Sequence, residues 1–207
     1  MPRPAGYVPP REAMSHTDQR PIGAVRLPDG MRVTIRPASP WDAGRIQDYV
    51  RSLSLPSRYD RFLAAMNELS PAELARVGGS DHRHGTLIAE TRIGGARIMI
   101  GEARYALGSD GKTSEIALSV ADAWHGRGLG TLLMDYLECC ARSFGVATLV
   151  GDVLRSNTAM RKLARKAGFG TGVPDDARLV RIVKDISVAR VGAPCGLLMR
   201  SGLSMAA

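Results

Sequence analysis

The sequence predicts a single α/β domain in which helices flank a sheet, and three observations lead to that prediction. The 207 residues are 44% hydrophobic and 23% charged, which suffices for one globular core. Three strand-like runs follow one another with glycine-rich turns between them, a pattern typical of an antiparallel meander. After that meander, helical and strand patterns alternate to the end of the predicted domain.

The N-terminal third of the domain predicts one strand followed by helices. A turn at 28–30 precedes alternating apolar residues over 31–36, which indicates a strand. Ser39 can cap a helix that begins with a proline. The apolar face of that helix is predicted to consist of Ile46, Tyr49, Val50 and Leu53. Two short helices are expected to begin near Ser57 and at Ser70.

The remaining elements follow in order along the chain. The strands of the meander are predicted at 86–92, 98–107 and 114–120. An amphipathic helix closed by Gly145 is predicted from apolar residues at helical spacing, namely Leu129, Leu132, Leu133, Tyr136, Leu137, Cys140 and Phe144. A buried strand, a second helix and a last strand are predicted at 147–154, 157–167 and 179–186.

We expect residues 1–24 to form a flexible arm, 25–186 the folded domain and 187–207 a C-terminal tail. The start codon corresponds either to Met1 or to Met14. The sequence shows neither a secretory signal nor an apolar run long enough to span a bilayer, so no membrane association is expected. Its three cysteines are expected to be reduced thiols of a cytoplasmic protein.

The charge balance predicts an affinity for polyanions without choosing among them. Lys and Arg number 28 against 20 Asp and Glu, a formal charge of +8, which attracts nucleic acid, acidic protein surfaces or a phosphate-rich cofactor. Nucleic-acid binding ranks last, because helix-turn-helix, zinc-finger and aromatic RNA-binding signatures are missing. His82 and His84 lack a third ligand at useful spacing, so no metal site is expected.

The segment 120–131 carries the clearest chemical signal. Gly126, Gly128 and Gly130 alternate between a predicted strand and the start of a helix. Glycine lets the backbone approach a ligand closely, and the N–H groups and dipole of a helix start attract phosphate. The segment lacks the Gly-Lys-Ser/Thr of a Walker loop, and Thr131 stands where a dinucleotide fingerprint has its third glycine. A pyrophosphate loop is therefore predicted, with a ligand-free turn as the alternative.

The element order and this loop resemble the GCN5-related N-acetyltransferase (GNAT) family over about 25–186. The family loop reads Gln/Arg-x-x-Gly-x-Gly/Ala, and the chain departs from it at His125 alone. The sequence Ser-Asn-Thr-Ala-Met around Asn157 and the Ala-Gly-Phe at 167–169 also match. The resemblance implies the GNAT fold, a central mixed, mostly antiparallel sheet flanked by helices. It also implies acetyl-CoA as co-substrate and no metal.

The resemblance further implies which residues bind the cofactor. Backbone amides near Leu118 and Val120 are expected to hold the thioester and pantetheine and to stabilise the oxyanion. Other expected contacts are His125, Gly126, Arg127, Gly128, Leu129, Gly130, Thr131, Asn157 and Met160. Many relatives carry a tyrosine as general acid on the last helix, where this chain has Ala164. Tyr59 and Tyr105 are possible substitutes, although packing roles are expected for both.

A finer resemblance is to bacterial protein lysine acetyltransferases of the Pat type, carried by segments at 57–62, 114–117, 124–130 and 163–166. It implies a protein lysine as preferred acceptor and Glu115 as general base. On the predicted strand, Glu115 shares a face with small residues and can border a cleft; a surface salt bridge is the alternative. A small amine (polyamine, aminoglycoside or amino acid) remains the alternative acceptor, and a non-catalytic CoA-sensing module the alternative function.

Two groups of basic residues remain open to interpretation. Arg58 and Arg61 are expected to bind an acidic substrate, to order the substrate loop or to be solvated. A solvated helix face is predicted for the cluster of Arg161, Lys162, Arg165 and Lys166, with a role near the ribose phosphate of the cofactor as the alternative. Monomer and homodimer are both compatible with the sequence.

Overall fold

The computed structural model describes residues 22–78 and 83–188, which form an eight-stranded sheet and five α-helices. The strands are β1 Gly23–Arg26, β2 Arg32–Pro37, β3 His84–Ile93, β4 Ala96–Leu107, β5 Thr113–Val120, β6 Thr148–Leu154, β7 Gly170–Gly172 and β8 Leu179–Asp185. The helices are α1 Ala43–Ser52, α2 Leu55–Phe62, α3 Pro71–Gly78, α4 Leu129–Ser143 and α5 Thr158–Lys166. The strand order is β1-β2-β3-β4-β5-β6-β8-β7. This mixed sheet with flanking helices confirms the predicted fold class.

The sheet is antiparallel at every junction except that between β5 and β6. Those two strands run parallel and pair only from Thr113–Thr148 to Glu115–Val150. Beyond this point, 116–120 of β5 pair with β4 but not with 151–154 of β6. We call this gap between 116–120 and 151–154 the open seam.

Helices cover both faces of the sheet. On one face α4 packs with fully buried side chains against the larger core, including Leu133, Met134, Tyr136 and Leu137. Gly145, at φ +75°, follows α4 and ends the helix as predicted. On the opposite face, α1 contributes Ile46, Tyr49 and Val50 to a second core that also contains Leu53, and each is at most 3% exposed. The predicted apolar faces of both helices are thus confirmed.

A buried cluster of charges joins this second layer to the sheet. Arg36 Nη2 of β2 lies 2.6 Å from Asp42 Oδ1 and 2.9 Å from Glu90 Oε1 of β3, and all three side chains are at most 7% exposed. Asp42 also accepts a hydrogen bond from the backbone N–H of Ser39 at 2.9 Å. Burial alone would raise the pKa of Asp42, but the hydrogen bonds from Arg36 and Ser39 lower it to about 2. Arg36 therefore compensates two buried carboxylates.

Strands β1 and β7 were not predicted from the sequence. The sheet already includes Gly23, so it begins inside the predicted arm 1–24, whereas 1–21 and 189–207 lie outside the described residues. Cys140 is a free, buried thiol, whereas Cys195 lies outside the described residues. Among the helices of the described ranges, none has the length and apolar character needed to cross a membrane.

Candidate functional site

A cavity of about 750 Å³ lies along the open seam. Residues of β5 and β6 form its walls, the segment 124–131 and the start of α5 close one end, and α2 contributes a further wall. A volume of this size is typical of a small-molecule or cofactor site. The cavity therefore occupies the place at which the sheet ladder is interrupted.

The glycine loop forms the end of the cavity at the start of α4. Gly126 and Gly128 have φ of +74° and +88°, a conformation that favours glycine. Gly128 is the N-cap of α4, so the N–H groups of the first turn have no partner within the helix. The side chain of Leu129 packs in the core at 1% exposure, but the other predicted loop residues line the cavity, namely His125, Gly126, Arg127, Gly128, Gly130 and Thr131. The N–H groups and the dipole at the start of α4 make the electrostatic potential favourable for an anion at this end of the cavity.

Side chains of the loop hold it in place. The Nε2 atom of His125 lies 2.8 Å from the carbonyl oxygen of Val120, which ties the loop to the end of β5. The guanidinium of Arg127 stacks 4.8 Å from the ring of Trp124 and lies 3.3 Å from Asp29 Oδ2 of the β1–β2 turn. The departure from the family motif at His125 thus places a side chain that braces the loop.

The backbone of β5 presents donors to the open seam. Ala121 N–H donates to the carbonyl of Ile100 at 2.9 Å, just beyond the paired residues of β4 and β5. Because successive residues of a strand direct their N–H groups to opposite sides, those of Val120 and Leu118 point away from β4. Both residues line the cavity. Their N–H groups therefore face the space where a ligand with an extended amide-bearing arm can pair with the strand.

Helix α5 approaches the cavity with its first turn. Asn157 caps the helix, because its Oδ1 accepts a hydrogen bond from Met160 N–H at 2.8 Å, and both residues line the cavity. Lys166, the last residue of α5, is exposed as predicted and lines the cavity as well. Ala164 is 1% exposed in the core and offers no proton donor.

The structure places Glu115 beside the main cavity rather than in it. Its exposed side chain borders a second cavity of about 290 Å³, which shares Gly151 and Asp152 with the first. Arg181 Nη2 lies 2.6 Å from Asp152 Oδ2 in the same region and acts electrostatically on Glu115. Glu115 is also the last residue of β5 that pairs with β6. It therefore stands where the open seam begins.

The two arginines of α2 have structural partners. The Nε atom of Arg61 lies 2.9 Å from Glu102 Oε1, with side chains only 8% and 0% exposed. Arg58 donates to the carbonyl of Arg51 at 3.2 Å. These contacts favour the interpretation that the arginines order this segment. Tyr105 packs in the core beside a phenylalanine ring, which confirms its packing role.

A carboxylate clasp connects α2 to the glycine loop. Asp122 accepts hydrogen bonds from the hydroxyls of Ser54 and Ser57 at 2.8 and 2.6 Å and from Ser54 N–H at 3.0 Å. Burial would raise the pKa of Asp122, but these hydrogen bonds lower it to about 2. The α2 wall and the segment that leads into the loop are thus joined directly.

Several residues of the site were not predicted from the sequence. They are Asp60 of α2, Asp122, and the pair Asp152 and Arg181, all of which line one or both cavities or hold their walls. The partners lie far apart in the chain, and no spacing pattern links them.

A metal site is not indicated, since no group of three or more His, Cys, Asp and Glu side chains converges within 22–78 and 83–188. His82 of the proposed histidine pair lies outside those ranges.

Comparisons with known proteins agree with this geometry. The model of the acetyltransferase (GNAT) family matches residues 48–169, which is more than half of the chain. The chain is 33% identical over 156 residues to the acetyltransferase PA5475 of Pseudomonas aeruginosa, a match that covers 74% of this chain and 84% of that protein.

Two further similarities concern proteins named Pat. The chain is 28% identical over 165 residues, or 78% of its length, to the acetyltransferase Pat of Mycolicibacterium smegmatis, and it spans only 48% of that protein. The crystal structure of the GNAT domain of S. lividans PAT superimposes with a TM-score of 0.72 at 30% identity, covering 79% of this chain and 96% of that domain. These matches support the predicted resemblance to the Pat-type group.

Proposed function

Because the chain belongs to the acetyltransferase (GNAT) family, we propose that it transfers the acetyl group of acetyl-CoA to an amine, with a protein lysine as preferred acceptor. One observation carries this proposal: the open seam leads directly into a glycine loop at the start of a helix. The seam offers strand donors to an amide-bearing arm, and the loop offers N–H groups to a pyrophosphate. Acetyl-CoA has both parts in one molecule. We assign this activity to 25–186.

The residues present fit acetyl-CoA. The loop 125–131 would hold the pyrophosphate, with Arg127 and Lys166 adding positive charge at that end. The N–H groups of Leu118 and Val120 would pair with the pantetheine and thioester. Asn157 would contact the same arm through the side of its amide that does not cap α5. Acetyl-CoA itself supplies an activated acyl group.

Transfer requires a neutral amine, so an ammonium must first lose a proton. We propose that Glu115 accepts it, directly or through a water molecule, from its position at the start of the open seam. The amine nitrogen then attacks the thioester carbonyl carbon, and the C–N bond forms as the C–S bond breaks, while the nitrogen releases its surplus proton to solvent to become a neutral amide. The departing thiolate takes up a proton from solvent, because Ala164 offers none. The exposure of Glu115 lets it return its proton to bulk water.

Substitution of Glu115 by glutamine (Glu115→Gln) tests this role. We expect kcat to fall about 100-fold or more, the usual contribution of a general base, while the affinity for acetyl-CoA stays unchanged. Isothermal titration gives the affinity, and release of the CoA thiol gives the rate. Asp48→Asn removes a carboxylate from an 80%-exposed side chain of α1 and serves as the control. Equal rates for the two variants would remove Glu115 from the mechanism.

The same assay tests the acceptor. A lysine peptide, spermidine, an aminoglycoside and free amino acids are compared at equal concentration, and we expect the peptide to have the highest kcat/KM. Shared motifs with the Pat-type protein lysine acetyltransferases support this choice. Faster transfer to one of the small amines would replace the protein acceptor with that class. Binding of acetyl-CoA without thiol release for any of them would identify a CoA-sensing module.

A further inference from the structure

The side chain of Asp60 distinguishes the α2 wall of the cavity. Ser57, Asp60 and Arg61 line the cavity from one face of α2, since residues three and four apart lie on the same side of a helix. The clasp through Asp122 holds Ser57, and Glu102 holds Arg61. Asp60 is therefore fixed between two anchored neighbours and half-buried against the cavity.

Other carboxylates around the cavity already have partners, but Asp60 does not. Asp122 is held by Ser54 and Ser57, Asp152 by Arg181, and Asp29 by Arg127. Across 22–78 and 83–188, no hydrogen bond or ion pair reaches the Asp60 carboxylate. Burial raises its pKa above the usual value, as expected for a carboxylate that lacks a compensating charge. A half-buried, uncompensated carboxylate in a cavity favours a cation.

The charges of the cavity are also distributed unevenly. Arg127 belongs to the glycine loop, and Lys166 lies one turn beyond Leu163 of α5, whose side chain approaches Gly130 of that loop. Asp60 lies on α2, which contacts β5. The backbone of β5 is the strand whose N–H groups face the open seam. An anionic ligand thus fits one end of the cavity and a cationic ligand the wall beside the seam.

We infer that Asp60 is a substrate-binding residue that pairs with the ammonium group of the acceptor and selects cationic acceptors over neutral ones. The inference rests on the proposed acetyl transfer and names the charge of its second substrate. Asp60 brings the ammonium into the cavity, and the proton is then lost to Glu115. Removing Asp60 weakens the binding of the cation and leaves the anion site at the other end in place.

The test measures binding rather than turnover. A lysine peptide and spermidine are titrated into the complex of the full chain with CoA, for the wild type and Asp60→Asn. The same peptide with norleucine at the lysine position provides a neutral ligand of equal chain length. For the cation that binds the wild type more tightly, we expect the Kd to rise about tenfold in Asp60→Asn, the size of one partly buried ion pair. The norleucine peptide should bind both proteins equally.

Two controls separate this result from a loss of structure. The affinity of Asp60→Asn for CoA should not fall, because removal of a negative charge does not weaken an anion site. Asp48→Asn should bind both cations as the wild type does. Two results would overturn the inference. One is that the more tightly bound cation has the same Kd for wild type and Asp60→Asn, and the other is that the wild-type complex binds neither cation.

The inference and the proposed function fail in different ways. A chain that binds a cation through Asp60 but transfers no acetyl group overturns the proposed function and leaves Asp60 as a cation-binding residue. A chain that transfers acetyl groups but binds cations equally well with and without Asp60 supports the proposed function and overturns the inference. If CoA does not bind, the probes are titrated into the free protein, and the same comparison of Kd values decides.

Discussion

Replacement of Arg36 by methionine (Arg36→Met) is expected to lower the free energy of unfolding by about 3 kcal/mol, at the lower end of values for a broken buried ion pair. The substitution leaves the buried carboxylates of Asp42 and Glu90 without their main partner. The loss stays at the lower end because Arg45 still reaches both carboxylates, at 3.4 and 2.5 Å. For a chain of this length the melting temperature should fall by about 6–12 °C.

Urea denaturation of wild type and variant measures this difference, with Arg51→Met as the matched control. Arg51 pairs with Glu68 at 2.5 Å, but both side chains are more than half exposed, so its replacement should cost at most about 1 kcal/mol. Equal losses for the two variants would show that burial of the Arg36 cluster does not matter. Should Arg36→Met fail to fold, Arg36→Lys gives a milder version of the same comparison.

The pH dependence of the free energy of unfolding provides an independent measurement on the same cluster. The pKa of Asp42 lies near 2 in the folded chain, whereas an aspartate in the unfolded chain has its ordinary pKa of 3.8. Because the folded value is the lower one, this stabilisation is fully present above pH 3.8 and is lost as the pH falls towards 2. The difference in unfolding free energy between wild type and Arg36→Met should therefore narrow over that interval. A difference that stayed constant over that interval would mean that Arg36 does not lower the pKa of Asp42.

The second large effect is expected at the glycine loop. We expect Gly126→Ala and Gly128→Ala each to raise the Kd for acetyl-CoA about 100-fold, which corresponds to the loss of two hydrogen bonds to a charged group at about 1.5 kcal/mol each. Both glycines have positive φ, and alanine there shifts the backbone and turns its N–H groups away from the phosphate. Crowding is not the cause, since the nearest atom to a Cβ at Gly128 is 3.7 Å away and none lies within 4 Å of one at Gly126.

Gly111→Ala is the matched control for the loop variants. Gly111 has φ of +66° and equally open surroundings, and it lies in the turn before β5. All three substitutions should cost a similar strain of about 1–2 kcal/mol in stability. Only the loop variants should lose affinity in isothermal titration. A loop variant that binds acetyl-CoA as tightly as Gly111→Ala would show that the loop does not hold the pyrophosphate.

Most of the fold could be predicted because its elements carry strong local signals. The apolar stripe that begins at Leu129 specifies α4, and glycine-rich turns separate β3, β4 and β5. Strands β1 and β7 have only four and three residues, and β7 reads Gly-Thr-Gly, so neither shows an alternating pattern. They become strands because a neighbouring strand offers an unpaired edge, which is information the local sequence does not contain.

Only those parts of the candidate site that consist of backbone groups could be predicted from the sequence. The alternating glycines predict the loop, and Asn157 predicts a helix cap, because both residue types determine the backbone conformation of their sequence neighbours. Charged side chains give no such signal. Arg61 and Asp60 are neighbours on one helix, yet Arg61 is neutralised by a glutamate 41 positions away and Asp60 is not neutralised. Which of them faces a partner depends on how α2 lies on the sheet, and that depends on tertiary packing.

The open seam also affects how the sheet is expected to unfold. It separates five strands on one side from three on the other, and the ladder between them consists of three residue pairs. Amide hydrogens of β6 and β8 should therefore exchange through openings that leave β2 to β5 intact, because few backbone bonds couple the two parts. A ligand that pairs with both sides would make the two parts open together. Substrate binding would then change the cooperativity of the fold as well as its stability.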